Sequence, residues 1–196
     1  LATGTSITLT GDALNPAYFD ADSNLIATSS AGDIALGLNS YFTSTNGNIS
    51  ATATGGDLTL GAKSYLDASS GTITASGENI TFANGTGALL AERTRFNASG
   101  LVIVSATAAA PDGNITLGNY STIRSTAAGI TASALTAITL GENSYLSSSS
   151  ALSAIASGGA MSLGVNSYFE STASTLTATG TSITLTGDAS NPAHFD

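Results

Sequence analysis

Residues 138–156 read ITLGENSYLSSSSALSAIA, and this stretch holds the three short elements from which the whole chain is built. They are ITL at 138–140, SYL at 144–146 and LSA at 152–154. Apolar and polar residues alternate in each element, which is the period-2 pattern of a half-buried β-strand. Gly, Asn and Ser stand between the elements, where the chain must turn sharply. The stretch therefore predicts three short strands in about 23 residues.

The same elements recur along the whole chain. The first element occurs eight times, at spacings of 27, 24, 22, 35, 23, 23 and 22 residues, and begins at Ile7, Ile34, Leu58, Ile80, Ile115, Ile138, Met161 and Ile183. A unit this short cannot form a core of its own, but it can coil so that each strand pairs with its equivalents about 4.8 Å above and below. The repeats thus predict an all-β fold: a parallel β-helix, or β-solenoid, of about seven coils of 22–24 residues with two insertions.

The alternation also predicts which side chains face outward. In the first element the apolar residues should point into the coil and the middle residue outward. The expected outer ladder is Thr8, Thr59, Thr81, Thr116, Thr139 and Thr184, interrupted by Ala35 and Ser162. The expected outer column of the third element is Ser50, Thr74, Val102, Thr131, Ser153 and Thr177. Ala and Ser should fill many inward positions, because the interior of such a coil is narrow.

A longer repeat joins the two ends of the chain. Residues 3–20 read TGTSITLTGDALNPAYFD, residues 179–196 read TGTSITLTGDASNPAHFD, and sixteen of the eighteen positions agree. The offset is 179 − 3 = 176 residues. We interpret residues 1–196 as a single solenoid segment: one 176-residue tandem unit (about 1–176 or 3–178) and the start of the next unit (179–196). Duplication inside one closed domain is the alternative.

Composition excludes several classes of protein. Only 4 Lys and Arg stand against 13 Asp and Glu, and the net charge is −9. Nucleic acids and anionic membrane surfaces both require clustered basic residues, so neither is an expected partner. No apolar run approaches the roughly 18 residues of a membrane-spanning helix, so no membrane insertion is expected. Cysteine is absent, which excludes disulfides and thiolate metal sites.

One stretch has the spacing of a cation site. Asp20, Asp22 and Asn24 follow the D-x-D-x-N order of calcium loops, in which alternate side-chain oxygens converge on the ion. Neither the glycine nor the bidentate glutamate of such loops follows at the expected distance. These three residues are the candidate calcium site, with an ordinary Asx-rich turn as the alternative. No other cofactor is expected.

Two further groups form a candidate contact surface. Tyr41, Tyr65, Tyr145 and Tyr168 recur in the second element and should stack on one face, above core residues Phe42, Leu66, Leu146 and Phe169. The tyrosines either stabilise the stack or bind sugars or a neighbouring fibre. Glu92, Arg93 and Arg95 lie beside the larger insertion, residues 85–94 and 106–113, and are predicted to contact a partner; the smaller insertion spans residues 11–24. The alternative is that Leu89 and Leu90 simply fold back over the coil.

No catalytic constellation can be assembled. His194 is the only histidine, and its counterpart in the first unit is Tyr18. Asp33 and Asp57 occupy equivalent sites, but Asn replaces them in later coils, which favours a role in turns over acid–base chemistry. The chain is therefore not expected to be an enzyme.

The strings GNISA at 47–51, GDLTLG at 56–61 and GNITLG at 113–118 resemble the coils of filamentous-haemagglutinin-like adhesins, large bacterial surface proteins. The resemblance implies a right-handed parallel β-helix, secretion to the cell surface and a structural role. The expected function is that of a repeat unit of a large extracellular fibre or adhesin, for surface extension and contact with cells or matrix. Expected partners are adjacent copies end to end, and neighbouring fibres or cell-surface glycans. The alternative is a ligand-binding solenoid, such as an ice-binding protein that uses the outward Thr ladder.

Overall fold

The computed structural model describes residues 1–109, 111–187 and 190–196. The chain is an all-β parallel solenoid in which three sheets of eight strands run along its length. Every strand pairs in parallel with the strands three places earlier and later in the chain, so each coil gives one strand to each sheet. The predicted fold class is confirmed. The hand of the coil and the tandem arrangement of 176-residue units stay predictions.

The strand bounds define the sheets and coils used below. Sheet 1 consists of Ala2–Gly4, Leu25–Ser29, Ile49–Ala53, Ile73–Gly77, Val102–Ala106, Ile130–Ala134, Leu152–Ala156 and Leu176–Thr179. Sheet 2 consists of Ile7–Leu9, Ile34–Leu36, Leu58–Leu60, Ile80–Phe82, Ile115–Leu117, Ile138–Leu140, Ala160–Leu163 and Ser182–Leu185. Sheet 3 consists of Tyr18–Ala21, Tyr41–Ser44, Tyr65–Ala68, Thr94–Ala98, Ser121–Ser125, Tyr145–Ser148, Tyr168–Ser171 and His194–Phe195. A 3-10 helix spans Leu90–Glu92. The first strands of the three sheets form coil 1, and so on to coil 8.

Sheet 2 follows the sequence pattern in its first seven strands, whereas Ile183 and Leu185 of the eighth strand are exposed. In a typical strand, Ile80 and Phe82 are buried and Thr81 between them is exposed. Register places Thr81 beside Thr59 on one side and Thr116 on the other. The predicted outer ladder, with Ala35 and Ser162 as its interruptions, is confirmed.

Sheet 1 corrects one predicted column. Val102 is fully buried, and it is Ile103 that pairs with Thr74 and Thr131 on the outer surface. The prediction was wrong by one residue because residues 101–103 are all apolar, so the alternation has no polar residue there to set its phase. The strands of this sheet are also long enough for a second outer column. It contains Thr3, Thr28, Thr52, Ser76, Ser105, Ser133, Ile155 and Thr179.

The interior is narrow, as predicted. Ala27, Ala51 and Ala75 face inward from sheet 1 and are fully buried. Larger side chains face them from the other two sheets, and the rings of Phe82 and Phe96 meet at 4.6 Å between centroids. Small residues on one side thus leave room for large ones on the other, and the buried residues form one continuous core along the solenoid.

The corner that precedes sheet 3 is built alike in five coils. A residue with φ between 53° and 59° stands there: Asn39, Lys63, Tyr120, Asn143 and Asn166. Asn tolerates this left-handed conformation better than most residues. A buried serine follows each of them, and its hydroxyl joins neighbouring coils; the N–H of Ser144, for example, donates to Oγ of Ser167 at 3.2 Å. In these five coils, the satisfied buried hydroxyls fix where the strand of sheet 3 begins.

Candidate contact surface

Sheet 3 is the chemically distinct face of the solenoid. All sixteen strands of sheets 1 and 2 lie in the described part of the chain, and none contains a charged residue. The strands of sheet 3 contain Asp20, Asp67, Arg95, Arg124 and Glu170. Five of the six tyrosines also lie on this sheet. Within the strands, charged side chains are therefore confined to sheet 3, which also carries most of the tyrosines.

The tyrosines form two stacks on its outer surface. Ring centroids of Tyr18 and Tyr41 lie 4.9 Å apart, and those of Tyr41 and Tyr65 lie 4.7 Å apart. Three coils further on, Tyr145 stacks on Tyr168 at 4.9 Å, and Tyr168 on His194 at 5.3 Å. The four predicted tyrosines thus share one column, but in two groups. Tyr18 and His194 escaped the sequence reasoning because Ala, rather than the usual Ser, precedes each of them.

Two arginines stand between the stacks. Register puts Arg95 and Thr122 at the two positions between Tyr65 and Tyr145. The guanidinium carbon of Arg95 lies 4.0 Å from the ring centroid of Tyr65. That of Arg93 lies 4.7 Å from the ring centroid of Tyr145. Each stack therefore ends, at its inner side, on a cation over an aromatic face.

The same arginines hold the larger insertion against the sheet. Nε of Arg93 donates to the carbonyl of Ala88 at 3.2 Å, and its Nη1 donates to the carbonyl of Asn143 at 2.7 Å. Nη1 of Arg95 donates to the carbonyl of Leu90 at 3.1 Å. Both side chains are consequently buried, at 7% and 9% exposed. The contact role predicted for them is untested, and the structure places them beneath the insertion.

The rest of the insertion is more open. Leu89 is 69% exposed, so the expectation that it folds back over the coil is wrong; Leu90 is half-buried. Glu92 closes the turn, because its Oε2 accepts a hydrogen bond from the N–H of Leu89 at 3.3 Å. Gly85 permits the close approach of this loop, since a Cβ there would lie 2.3 Å from the carbonyl oxygen of Tyr120.

Burial changes the acid–base properties of this face. It lowers the pKa of Arg95, although the carboxylate of Asp67 opposes the shift. It raises the pKa of Tyr65 and of Tyr168, and in each the neighbouring tyrosine of the stack raises it further. The phenols are therefore held in their neutral, hydrogen-donating form.

Stacking limits how the face can bind. Sugars pack against the flat faces of aromatic rings, but in these stacks the faces of Tyr41 and Tyr168 are covered by rings on both sides. Tyr65 and Tyr145 are covered by a ring on one side and a guanidinium on the other. The surface therefore presents ring edges and hydroxyls along its middle.

The candidate calcium residues are hydrogen-bonded to the next coil. Oδ1 of Asp20 accepts from the hydroxyl of Thr43 at 2.5 Å, and Oδ1 of Asp22 accepts from the amide of Asn46 at 2.8 Å. Oδ1 of Asn24 accepts from the backbone N–H of residue 48 at 2.9 Å. Within residues 1–109, 111–187 and 190–196, no three acidic, His or Cys side chains are grouped to hold a metal. Calcium binding stays a prediction.

Asn24 belongs to a type of ladder found at other corners. Asp33 accepts from the N–H of Asp57, Asp57 from that of Asn79, and Asn79 from that of Asn114, at 2.9 to 3.0 Å. The acidic members thus serve the turns, which is the role the sequence favoured for them.

Comparison of the chain with protein-family models, curated proteins and solved structures gave no match. A search of the described residues found no helix with the length and hydropathy needed to cross a membrane.

Proposed function

We propose that this chain is a structural repeat unit of a large extracellular fibre or adhesin, which extends from a cell surface and contacts cells or matrix. The observation that carries the proposal is that the matching segments, residues 3–20 and 179–196, supply the first and the last strand of sheet 2 and of sheet 3. A further unit can therefore follow in the same register. Adjacent units are the proposed end-to-end partners.

The surface of the solenoid supports a location outside the cell. Its backbone groups are tied into continuous parallel ladders, and the sequence contains no thiol to oxidise. Two of its three faces are neutral and covered by small hydroxyl side chains. Such a surface offers few of the exposed basic and flexible sites that proteases cut.

Length measurement tests the fibre role. Chains that carry one, two or three 176-residue units are compared by small-angle X-ray scattering. Seven coils at the spacing of a parallel sheet should add about 34 Å to the maximum dimension per unit. An increase far below this value would show that the units fold back on one another, and would contradict the proposal.

Contact with matrix is tested on the full chain. Beads coated with it should be retained on a layer of extracellular matrix more than beads coated with albumin, and free chain should compete. Equal retention of both kinds of bead would remove the adhesive part of the proposal and leave the fibre role.

A second candidate, ice binding, is favoured by the outer face of sheet 1. Besides the column already described, a parallel column runs along this sheet: Ile26, Ser50, Thr74, Ile103, Thr131, Ser153 and Thr177. The predicted Thr ladder of sheet 2 is a single column, whereas sheet 1 carries two hydroxyl columns side by side. Thermal hysteresis of the purified chain tests this function, and Thr131→Tyr should abolish the effect while Thr139→Tyr on sheet 2 leaves it. No hysteresis at high concentration would exclude ice binding.

A further inference from the structure

Tyrosine is the side chain of this protein that a one-electron oxidant can reach. Cys, Met, Trp and Tyr are the side chains that lose single electrons most readily, but the sequence contains no Cys or Trp and only one Met. That residue, Met161, is fully buried. Tyr18 is 54% exposed, and the other tyrosines are half-buried. Because oxidation follows accessibility, a one-electron oxidant should act on tyrosine before any other side chain.

The stacks on sheet 3 hold tyrosines in pairs of neighbours. In the first pair, Tyr41 and Tyr65, the ring centroids lie 4.7 Å apart and the planes differ by 7°. In the second pair, Tyr145 and Tyr168, the values are 4.9 Å and 6°. Register places the two members of each pair directly beside one another on adjacent strands. The ring ends that carry the hydroxyls face outward, where half-buried rings have room to tilt towards each other.

The two pairs are too far apart to react with one another. Arg95 and Thr122 occupy the two positions between Tyr65 and Tyr145 in the outer column. Three strand spacings separate these two tyrosines, which is about 14 Å. A bond between two ring carbons cannot span that distance. Coupling of rings is therefore possible within each pair and excluded between the pairs.

We propose that the stacked tyrosines are a modification site, at which an oxidant of the peroxidase class joins Tyr41 to Tyr65 and Tyr145 to Tyr168 as dityrosine. The links would tie coil 2 to coil 3 and coil 6 to coil 7. Coils 4 and 5, beside the larger insertion, would stay unlinked. The inference goes beyond the fibre role and does not depend on it.

The coupling consumes only the oxidant. Each phenol gives one electron to the oxidant and its proton to water, which leaves a phenoxyl radical. Two such radicals form one carbon–carbon bond between the ring carbons next to their oxygens. The hydrogens of those two carbons are then replaced by protons on the two oxygens, which restores both phenols. Hydrogen peroxide takes up the two electrons and two protons and becomes two molecules of water. Stacking favours the step because both radicals are already side by side.

Oxidation of the purified full chain tests the site. The chain carries Tyr18→Phe, so that Tyr41 has one tyrosine neighbour in its stack instead of two. It is treated with a peroxidase and hydrogen peroxide, and dityrosine is measured by its fluorescence. At micromolar chain concentration, links within a chain should exceed links between chains about a hundredfold, because neighbours in one chain have a millimolar or higher effective concentration.

The sequence makes the links easy to locate. Lys63 lies between the two tyrosines of the first pair, so trypsin separates them. Met161, the single methionine, lies between those of the second pair, so cyanogen bromide separates them. Each link therefore joins two peptides that are otherwise separate. Mass spectrometry should find each joined product lighter by two hydrogen atoms than the sum of its peptides.

Phenylalanine variants supply the controls, since phenylalanine keeps the stacked ring but cannot form a phenoxyl radical. Tyr65→Phe should abolish the first link and leave the second, and Tyr145→Phe should do the reverse. The matched control is Tyr120→Phe, which removes a tyrosine at a corner outside the stacks. It should leave both links unchanged. Chain unfolded in urea should show no preference for either pair.

Three outcomes would overturn the inference. The first is that links to Tyr120 are as abundant as links within the pairs. The second is that most dityrosine joins different chains. The third is that the unfolded chain gives the same pattern of links as the folded one. The fibre role is tested by scattering on chains that have not been oxidised, so the inference and the proposed function can fail separately.

Discussion

Sheets 2 and 3 run side by side through the same eight coils, yet they are held together differently. In sheet 2 every coil repeats one inward-outward-inward triplet, and each strand meets near copies of itself. In sheet 3 the outer column changes from tyrosine to Arg95 and Thr122 and back again. The larger insertion projects from the solenoid at this point. The guanidinium of Arg95 covers the ring of Tyr65, and that of Arg93 covers the ring of Tyr145.

This difference shows what a repeat needs in order to tolerate an interruption. The inward residues of sheet 3 remain large and apolar through coils 4 and 5, where Phe96 and Ile123 are fully buried. Only the outer column is altered, and a flat guanidinium can replace a ring because it stacks in the same way. The core thus continues, while the surface gains an insertion.

The largest effect is expected from the core that the two sheets share. Phe96→Ala should lower the free energy of unfolding by about 3–5 kcal/mol, because it removes a buried ring and leaves a cavity. Leu117→Ala, on the inner side of sheet 2, is the matched change and should cost about 2–5 kcal/mol. Urea denaturation measures both. A loss of less than 1 kcal/mol for Phe96→Ala would mean that the interrupted region is not part of the common core.

Loss of the covering cation comes next. Arg95→Ala should lower the free energy of unfolding by about 1–3 kcal/mol, since it removes a hydrogen bond to the insertion and a partly desolvated cation over Tyr65. The half-buried Arg124 is the control, and Arg124→Ala should change stability by no more than about 0.5 kcal/mol. Proteolysis near Leu89 should accelerate only in the Arg95 variant. Equal behaviour of the two variants would show that Arg95 does not hold the loop.

Alkaline pH should weaken sheet 3 selectively. The raised pKa of Tyr65 and Tyr168 means that the folded chain holds these phenolic protons more tightly than the unfolded chain does. The resulting stability is complete below the ordinary tyrosine pKa of about 10 and is lost as pH rises through the raised values. Tyr65→Phe should flatten this decline in a pH series of denaturation curves. An unchanged slope in that variant would contradict the assignment.

The smallest effect is expected on the outer surface of sheet 2. Thr81→Val keeps the shape and β-branching of an exposed side chain and should alter stability by no more than about 0.5 kcal/mol. Thr94→Val should lower the stability by more, because Thr94 of sheet 3 is buried and its hydroxyl donates to the carbonyl of Gly61 at 3.2 Å. Thermal denaturation of the pair measures the contrast. Similar losses would erase the proposed distinction between the two faces.

The repeat pattern alone determined the fold class, the coil spacing and the outward Thr ladder, because alternation and spacing are local properties that strand pairing only amplifies. It also placed four tyrosines in one column. The pattern wrongly placed Val102 on the outer surface, since an all-apolar run does not show which residues face inward. It also missed that Tyr18 and His194 belong to the tyrosine column, since Ala rather than Ser precedes each of them. Only the tertiary structure decided the roles of Arg93 and Arg95, because the insertion brings them over rings that are distant in sequence.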